Sequence, residues 1–174
     1  MGERSDSRTS VERKSEREIV VTRIFDAPAR IVFEAWTKPA LFMQWWAPKS
    51  MGMVLRSCEM DVRPGGGYRL EFGSSAADSM AFFGRYLEVT PNKRLVWTND
   101  EGGEDGPITT VTFEETDGRT LLTLHELYPS KQALDAGGGA AEATAEQFEQ
   151  LDALLATLGA GVTGAARSDA WPPA

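Results

Sequence analysis

Residues 61–69 read DVRPGGGYR, and this stretch decides the fold of the chain. The end of one strand runs into a proline and three glycines, and an alternation of apolar and polar residues resumes at Tyr68. Proline fixes φ and cannot donate to a β-ladder, whereas glycine tolerates positive φ and close backbone approach. The stretch therefore predicts a tight turn at the start of a strand. A phosphate-binding loop is excluded because no Lys-Ser/Thr pair and no helical pattern follow the last glycine.

Further alternating segments surround this turn and predict an extended sheet. The predicted strands are Glu18–Phe25, Leu55–Val62, Gly67–Gly73, Ala81–Val89, Arg94–Asn99, Ile108–Glu115 and Arg119–Leu127. Short turn sequences, such as the Asp117-Gly118 pair, join several of them as hairpins, so the sheet is expected to be antiparallel.

Helical patterns lie on both sides of the strand-rich region. After the first strand, Asp26 is expected to cap a short helix with Pro28 at an early helical position, and a second short helix is expected over about 40–45. A long helix is predicted over 140–158, ended by Gly159, because leucines and Phe148 recur on one face. A sheet with one apolar face and one long amphipathic helix predicts the α+β class.

Composition predicts one globular domain with loose ends. The chain has 174 residues, of which 41% are hydrophobic, and the domain is predicted over 18–158. Residues 1–17 are rich in Ser, Arg, Lys and Glu and are expected to form a disordered arm, and 159–174 a flexible tail.

Charge and residue counts exclude several function classes. The net charge is -8 and the acidic residues are dispersed, which argues against nucleic acid as a partner. A sole Cys58 and a sole His125 offer no pair of metal ligands, so neither a metal nor a cofactor is expected. No secretory signal pattern and no apolar run of membrane-spanning length is visible, so a cytoplasmic protein is expected.

A set of short motifs lies in register over about residues 18–158. They are Phe25–Pro28, Val32–Thr37, Gln44–Trp46, Asp61–Arg69, Gly84–Pro91, Arg94–Val96 and Thr120–His125. Together they resemble the START-like, or SRPBCC, helix-grip superfamily, and within it the family named after the activator of the heat-shock protein 90 ATPase. Many members of that family carry a Gly-Trp pair early in the final helix, where this chain has 146–149, EQFE. The cavity near that helix is therefore expected to differ in volume and lining.

The resemblance implies a curved antiparallel sheet that wraps a long C-terminal helix and leaves an internal pocket. Relatives bind or transform apolar small molecules, so we expect a ligand-binding module for a lipid, polyketide or aromatic compound. An enzyme of the polyketide cyclase, dehydratase or hydrolase kind and a chaperone-interacting protein are the alternatives. The resemblance also leaves a homodimer open.

Strand alternation assigns one apolar face to the sheet. The expected cavity residues are Trp46, Tyr68, Leu70, Phe72, Trp97, Val111, Phe113, Leu122, Leu124, Glu126, Phe148 and Leu151. The same residues would build a solid core, so their assignment to a cavity is implied by the resemblance alone. Trp36 and Trp45 are expected to anchor the short helices to the sheet.

Only Glu126 emerges as a catalytic candidate. Alternation with Leu124 turns Glu126 inward and His125 outward, so the two cannot share one pocket. A carboxyl in an apolar cavity would have a raised pKa, which suits a general base. The alternative is that Glu126, near the end of its strand, reaches water and has no catalytic role. Charges around the glycine turn, Asp61, Arg63 and Arg69, are expected to form structural ion pairs.

Overall fold

The computed structural model describes residues 9–51, 54–73, 79–100, 106–136 and 140–164. These ranges contain eight strands and four α-helices. The strands are β1 (Thr9–Arg13), β2 (Glu18–Phe25), β3 (Leu55–Met60), β4 (Gly67–Gly73), β5 (Ser79–Thr90), β6 (Arg94–Thr98), β7 (Ile108–Thr116) and β8 (Arg119–Leu127). The helices are α1 (Ala29–Thr37), α2 (Pro39–Phe42), α3 (Lys131–Ala136) and α4 (Ala140–Gly164), and a short 3₁₀ turn covers Lys49–Met51.

The strands form one antiparallel sheet in the order β1-β2-β8-β7-β6-β5-β4-β3. The sheet is curved, and α4 lies against it, which confirms the predicted α+β helix-grip fold. β2, β4 and β8 have the predicted bounds, since hydrophobic alternation marks the extent of each. None of the described helices is long and apolar enough to cross a membrane.

The predicted disordered arm over 1–17 is wrong for residues 9–13, which form β1 and pair with β2 from Thr9↔Arg23 to Arg13↔Ile19. This strand is held by backbone pairing and by the buried Arg23, which donates to Thr9 Oγ1 at 2.7 Å. Polar composition conceals such a strand, because its own side chains add little to the core. Residues 1–8 lie outside the described residues.

Two helical predictions also need correction at the C-terminal end. Gly159 does not end α4, which continues to Gly164, because glycine weakens a helix interior without forbidding it. The predicted tail from 159 therefore starts inside the helix, and 165–174 lie outside the described residues. The helix α3 was not predicted; Leu134 is its buried contact with the core.

The start of α1 differs from the predicted cap. Pro28, and not Asp26, occupies the N-cap position, and no side chain of the cap residue bonds the helix. The backbone N–H of Ala29 instead donates to Glu115 Oε1 of β7 at 3.0 Å. A tertiary contact thus supplies the acceptor that local capping chemistry would have supplied.

The core lies between the inner face of the sheet and the helices. Phe148, Leu151 and Leu155 of α4 are almost fully buried, and the Phe148 ring meets the Phe25 ring edge-on at 5.7 Å. Arg23 forms an ion pair with Asp152 of α4 at 3.3 Å, so one buried cation ties two strands to the helix. The helix α1 packs against β7 and β8.

The glycine turn connects β3 to β4, and its backbone also bonds to β5. Gly65 has φ of +88°, in the left-handed region that favours glycine. A Cβ at Gly66 would lie 2.1 Å from the Asp61 carbonyl oxygen, so no other residue fits the turn as it stands. The turn also exchanges two backbone hydrogen bonds of 2.8 Å with Tyr86, so its shape fixes the position of that residue.

We expect Gly66→Ala to destabilise the domain more than Gly65→Ala, with both measured by urea unfolding. Space is open around Gly65, so its substitution brings only the left-handed strain of about 1–2 kcal/mol. At Gly66 the backbone itself must move, and a loss above about 3 kcal/mol is expected. Equal or inverted losses would contradict the close approach between Gly66 and Asp61.

Candidate functional site

A cavity of about 450 Å³ lies between the inner face of the sheet and the N-terminal part of α4. Strands β3 to β8 contribute its walls, the α1–α2 region closes it with aromatic rings, and α4 contributes small and polar side chains. Its lining is mainly apolar, with a few polar groups brought together at one side. This combination is typical of small-molecule sites in proteins.

Seven of the predicted cavity residues line this space. They are Trp46, Tyr68, Leu70, Phe72, Trp97, Leu124 and Glu126. All except Trp46 lie on strands, at the alternate positions whose side chains point to the inner face of the sheet. Strand alternation therefore assigned their face correctly.

Five other predicted cavity residues lie in the close-packed core. They are Val111, Phe113, Leu122, Phe148 and Leu151, none of which lines the cavity. The physical reason is coverage by helices, since the Phe33 ring of α1 contacts Phe113 at 5.4 Å and Phe148 meets Phe25. At this end of the sheet the helix residues fill the space, so an inward-facing side chain there meets other side chains and not a void.

The structure adds lining residues that the sequence did not identify. From the sheet these include Met60, Phe82, Tyr86 and Thr109, and from connecting segments Asn99, Pro107 and Tyr128. Phe82 and Tyr86 share the parity of an inward face, which is a signal that the sequence offered. Helical segments add Trp36, Phe42, Pro48, Ala143, Thr144 and Gln147, whose contribution depends on how the helices dock.

Trp36 both anchors a helix and lines the cavity. It is 1% exposed and packs against the rings of Trp45 and Trp97 at 4.8 Å and 5.9 Å. Trp45 is fully buried, and its indole N–H donates to the Ala35 carbonyl at 3.0 Å, which is the predicted anchoring role. Among the described residues, the Trp36 indole nitrogen has no hydrogen-bond partner.

The polar lining groups form a connected row, which we call the polar belt and define as Tyr68, Asn99, Thr109, Glu126 and Tyr128. Tyr68 donates to the carbonyl of residue 98 at 2.8 Å and approaches Asn99 Oδ1 at 3.3 Å. The Asn99 amide donates to Thr109 Oγ1 at 3.0 Å, and Thr109 donates to Glu126 Oε2 at 3.2 Å. Tyr128 donates to Glu126 Oε1 at 3.0 Å. The belt therefore ends in a carboxylate held by two hydroxyl groups.

Burial keeps the phenols of the cavity protonated. Burial is the main cause that raises the pKa of Tyr128, and the adjacent negative charge of Glu126 and their hydrogen bond raise it further. Burial likewise raises the pKa of Tyr86. Both hydroxyls therefore keep their hydrogen at neutral pH.

The outer face holds the only histidine. His125 Nε2 lies 2.8 Å from Glu18 Oε2 across the β2–β8 pair, and this hydrogen bond is the main cause that lowers the pKa of Glu18. Strand alternation thus separates His125 from Glu126, as the sequence predicted. The half-buried Cys58 has its pKa raised to about 11, chiefly by burial, so its thiol remains uncharged.

The charged residues of the glycine turn do not reach the cavity. Arg63 pairs with Asp61 at 2.9 Å, and Arg69 pairs with Glu71 at 3.1 Å, all at exposed or partly exposed positions. They form structural pairs, as expected, although Arg69 pairs with Glu71 and not within the expected cluster of Asp61, Arg63 and Arg69. Among the described residues, no group of three or more His, Cys, Asp or Glu side chains is placed to hold a metal ion.

Polar side chains in and next to the stretch 146–149 of α4 bind the segment after α2. Gln147 donates to the Trp46 carbonyl at 2.5 Å, and Gln150 donates to the carbonyls of residues 45 and 47 at 2.8 and 2.9 Å. The Glu146 carboxylate accepts from the Ser50 hydroxyl and backbone N–H, which lowers the pKa of Glu146. These bonds hold Trp46 at the cavity wall.

Residues 26–156 match the model of a family described as activator of Hsp90 ATPase homolog 1-like protein. A solved protein from Chromobacterium violaceum is 30% identical and covers 79% of this chain and 96% of its own length, with a TM-score of 0.63. One from Rhodobacter sphaeroides is 23% identical over 86% of this chain and 99% of its own, with a TM-score of 0.78. An AHSA1-like protein from Aeromonas hydrophila is 17% identical over 80% and 94%, with a TM-score of 0.62. The last two proteins share the fold of this chain. No curated protein matches the chain.

Leu122→Ala and Leu124→Ala test the boundary between core and cavity, because the two leucines lie on the same face of β8. Leu122 is enclosed by packed atoms, so its truncation is expected to cost about 3–5 kcal/mol of unfolding free energy. Leu124 already borders the cavity and loses fewer contacts, so about 2–3 kcal/mol is expected. A cost at Leu124 as large as at Leu122, in urea unfolding, would contradict an open cavity beside Leu124.

Proposed function

Because the chain belongs to the family of activator of Hsp90 ATPase homolog 1-like proteins, we propose that it binds an apolar or amphipathic small molecule in the cavity between the sheet and α4. A lipid-like, polyketide or aromatic compound is the class of ligand that fits the lining. The family's name describes a chaperone activator, and it does not by itself assign that activity to this chain.

One observation carries the proposal: the cavity is large enough for an organic guest and is lined for one. A volume of about 450 Å³ lies within the roughly 300–1,000 Å³ typical of ligand sites. Leu70, Phe72 and Trp97 offer apolar contact surface, while Asn99 and Glu126 offer polar contacts at one side. Burial of a ligand's apolar surface against such a wall is favourable at about 25 cal/mol per Å².

An enzymatic alternative is favoured by one feature of the same cavity. The Glu126 carboxylate faces the cavity and is oriented by Thr109 and Tyr128, which is the arrangement of a positioned general base. Turnover of a bound compound that is lost in Glu126→Gln, with binding retained, would establish the enzyme. Co-purification with an Hsp90 chaperone, lost when the surface of α1 and α2 is altered, would instead support the alternative suggested by the family's name.

Binding is tested with N-phenyl-1-naphthylamine, an uncharged probe whose fluorescence rises in apolar surroundings. We expect saturable fluorescence enhancement and, at a free concentration of 100 times Kd, a stabilisation of about 2.7 kcal/mol. For a domain of this size the stabilisation corresponds to a rise in Tm of roughly 5–10 °C.

A matched pair of variants locates the bound probe. Leu124→Trp is expected to narrow the cavity and weaken the enhancement, whereas Leu121→Trp, on the exposed face of the same strand, is expected to leave it unchanged. Thermal unfolding verifies that both variants are folded. An absence of binding, or an affinity that Leu124→Trp lowers no more than Leu121→Trp, would contradict the proposal.

A further inference from the structure

The three tyrosines of the chain all line the cavity, and two of them direct their hydroxyl hydrogen to an acceptor within the protein. Tyr68 donates to the carbonyl of residue 98 at 2.8 Å, and Tyr128 donates to Glu126 Oε1 at 3.0 Å. The Tyr86 hydroxyl makes no hydrogen bond with any of the described residues. A phenol has one hydrogen to donate, so Tyr86 is the phenol of this wall whose hydrogen remains available.

The Tyr86 hydroxyl borders open space although the residue is buried. Tyr86 is 3% exposed, shares the inward-facing positions of β5 with Phe82, and lines the cavity. Its oxygen is not one of the fully enclosed, unpartnered polar atoms of the described residues, so the space beside it is that of the cavity. Burial raises the pKa of Tyr86, so the hydroxyl keeps its hydrogen at neutral pH.

The backbone and the ring of Tyr86 are held in place by the fold itself. The Tyr86 N–H donates to the Gly66 carbonyl, and the Tyr86 carbonyl accepts from the Gly65 N–H, both at 2.8 Å. The register places Tyr86 opposite Trp97, and the Tyr86 ring lies 6.5 Å from the Trp97 ring and 5.9 Å from the Tyr68 ring. A donor fixed in this way loses little conformational freedom when it bonds a ligand.

The unpaired Tyr86 hydroxyl favours guests that carry a hydrogen-bond acceptor. A buried donor without an acceptor is unfavourable, because its hydrogen bonds to water are lost. A hydrocarbon guest that displaces water from the hydroxyl leaves it without a partner, whereas an acceptor oxygen replaces the lost bond. The amide of Gln147, which also lines the cavity, uses one of its two hydrogens for the Trp46 carbonyl and adds a further donor to the same lining.

We propose that Tyr86 contacts the ligand and donates a hydrogen bond to its carbonyl oxygen, so that the cavity favours ketones, esters, lactones and amides with an apolar body over hydrocarbons of the same shape. A carbonyl oxygen fits this role because it accepts hydrogen bonds and brings no hydrogen that needs an acceptor of its own. The inference rests on the proposed function, since it requires that the cavity binds a ligand. Through its bonds to the Tyr86 backbone, the glycine turn contributes to recognition without lining the cavity.

Two biphenyls of nearly the same shape test the role of the hydroxyl: 4-acetylbiphenyl has a ketone oxygen, and 4-isopropylbiphenyl has none. Their affinities are measured by displacement of N-phenyl-1-naphthylamine. Tyr86→Phe deletes only the hydroxyl and is expected to lower the affinity for the ketone about threefold to tenfold, without a loss for the hydrocarbon. Thr112→Val is the control, because it deletes a hydroxyl on the outer face of β7, and it is expected to change neither affinity.

Infrared spectroscopy of bound 4-cyanobiphenyl reports the hydrogen bond directly. The stretching frequency of a nitrile lies apart from the protein bands and rises when a hydrogen is donated to the nitrile nitrogen. In the unaltered protein the bound nitrile is expected to absorb above its frequency in an aprotic solvent. Tyr86→Phe is expected to return the frequency to the aprotic value, whereas Thr112→Val is expected to leave it raised.

Thermal unfolding tests whether the hydroxyl is unpaired. Tyr86→Phe is expected to leave the Tm of the unliganded protein within about 1 °C, because no bond within the protein is lost. Tyr68→Phe loses the bond to the carbonyl of residue 98, so a decrease of roughly 2–5 °C is expected. A failure of Tyr86→Phe to fold, or a decrease as large as that of Tyr68→Phe, would overturn the inference, since the hydroxyl would then be bonded within the protein.

The binding outcomes separate this inference from the proposed function. A ratio of the two affinities that Tyr86→Phe changes no more than Thr112→Val, or a nitrile frequency that Tyr86→Phe does not lower, would overturn the role of Tyr86 while ligand binding stands. The same holds if N-phenyl-1-naphthylamine binds and neither biphenyl displaces it. If neither the probe nor the biphenyls bind, the proposed function and this inference both fall.

Discussion

The division of the inner face of the sheet into a packed core and a cavity depends on how much of the sheet the helices can cover. Eight strands about 4.8 Å apart form a sheet about 34 Å wide, whereas a helix with its side chains is only about 10 Å across. Here α4 packs chiefly against β1 and β2, and α1 against β7 and β8. Phe148, Leu151 and Leu155 seal the covered part as a close-packed core. Curvature brings β4 and β5 back toward the helices without filling the space, and the cavity is what remains between them.

This division explains the chemistry of the two parts of the inner face. In the covered part, the buried polar side chains are Arg23, whose charge is met by Asp152, and Thr120, whose hydroxyl donates to the Ala27 carbonyl. In the uncovered part, polar groups are retained and bond to each other, because a buried polar group without a partner costs free energy. The register places Glu126 opposite Thr109, and Thr109 opposite Trp97, so a carboxylate, a hydroxyl and an indole form one row across three strands. The site is therefore a consequence of strand register, and not of a local motif.

Sequence patterns predicted the face of each strand residue but not what it meets there. Leu122 and Leu124 have the same type, strand and face, yet one lies in the core and the other at the cavity. The difference is set by helix docking, which depends on long-range packing that no spacing in the sequence expresses. The glycine turn was predictable because its constraint is local: a Cβ at Gly66 would clash within five residues along the chain.

Other features were missed for similar physical reasons. β1 is polar and owes its strand to pairing with β2, and Asn99 and Tyr128 enter the cavity from connections beyond strand ends, where alternation no longer applies. Glu146 and Gln147 belong to the stretch 146–149, EQFE, whose lack of Gly and Trp is visible in the sequence. Their hydrogen bonds to residues 46 and 50 depend on how the segment after α2 packs against α4, which the sequence does not show.

A crystal structure with bound 4-(4-bromophenyl)phenol is the most direct measurement of whether the uncovered part of the sheet accepts a guest. Anomalous scattering locates the bromine independently of the fitted protein coordinates. The account predicts a bromine peak inside the cavity, between the lining residues of the sheet and α4. An interior filled by side chains, with no bromine peak between the sheet and α4 at saturating ligand, would contradict it.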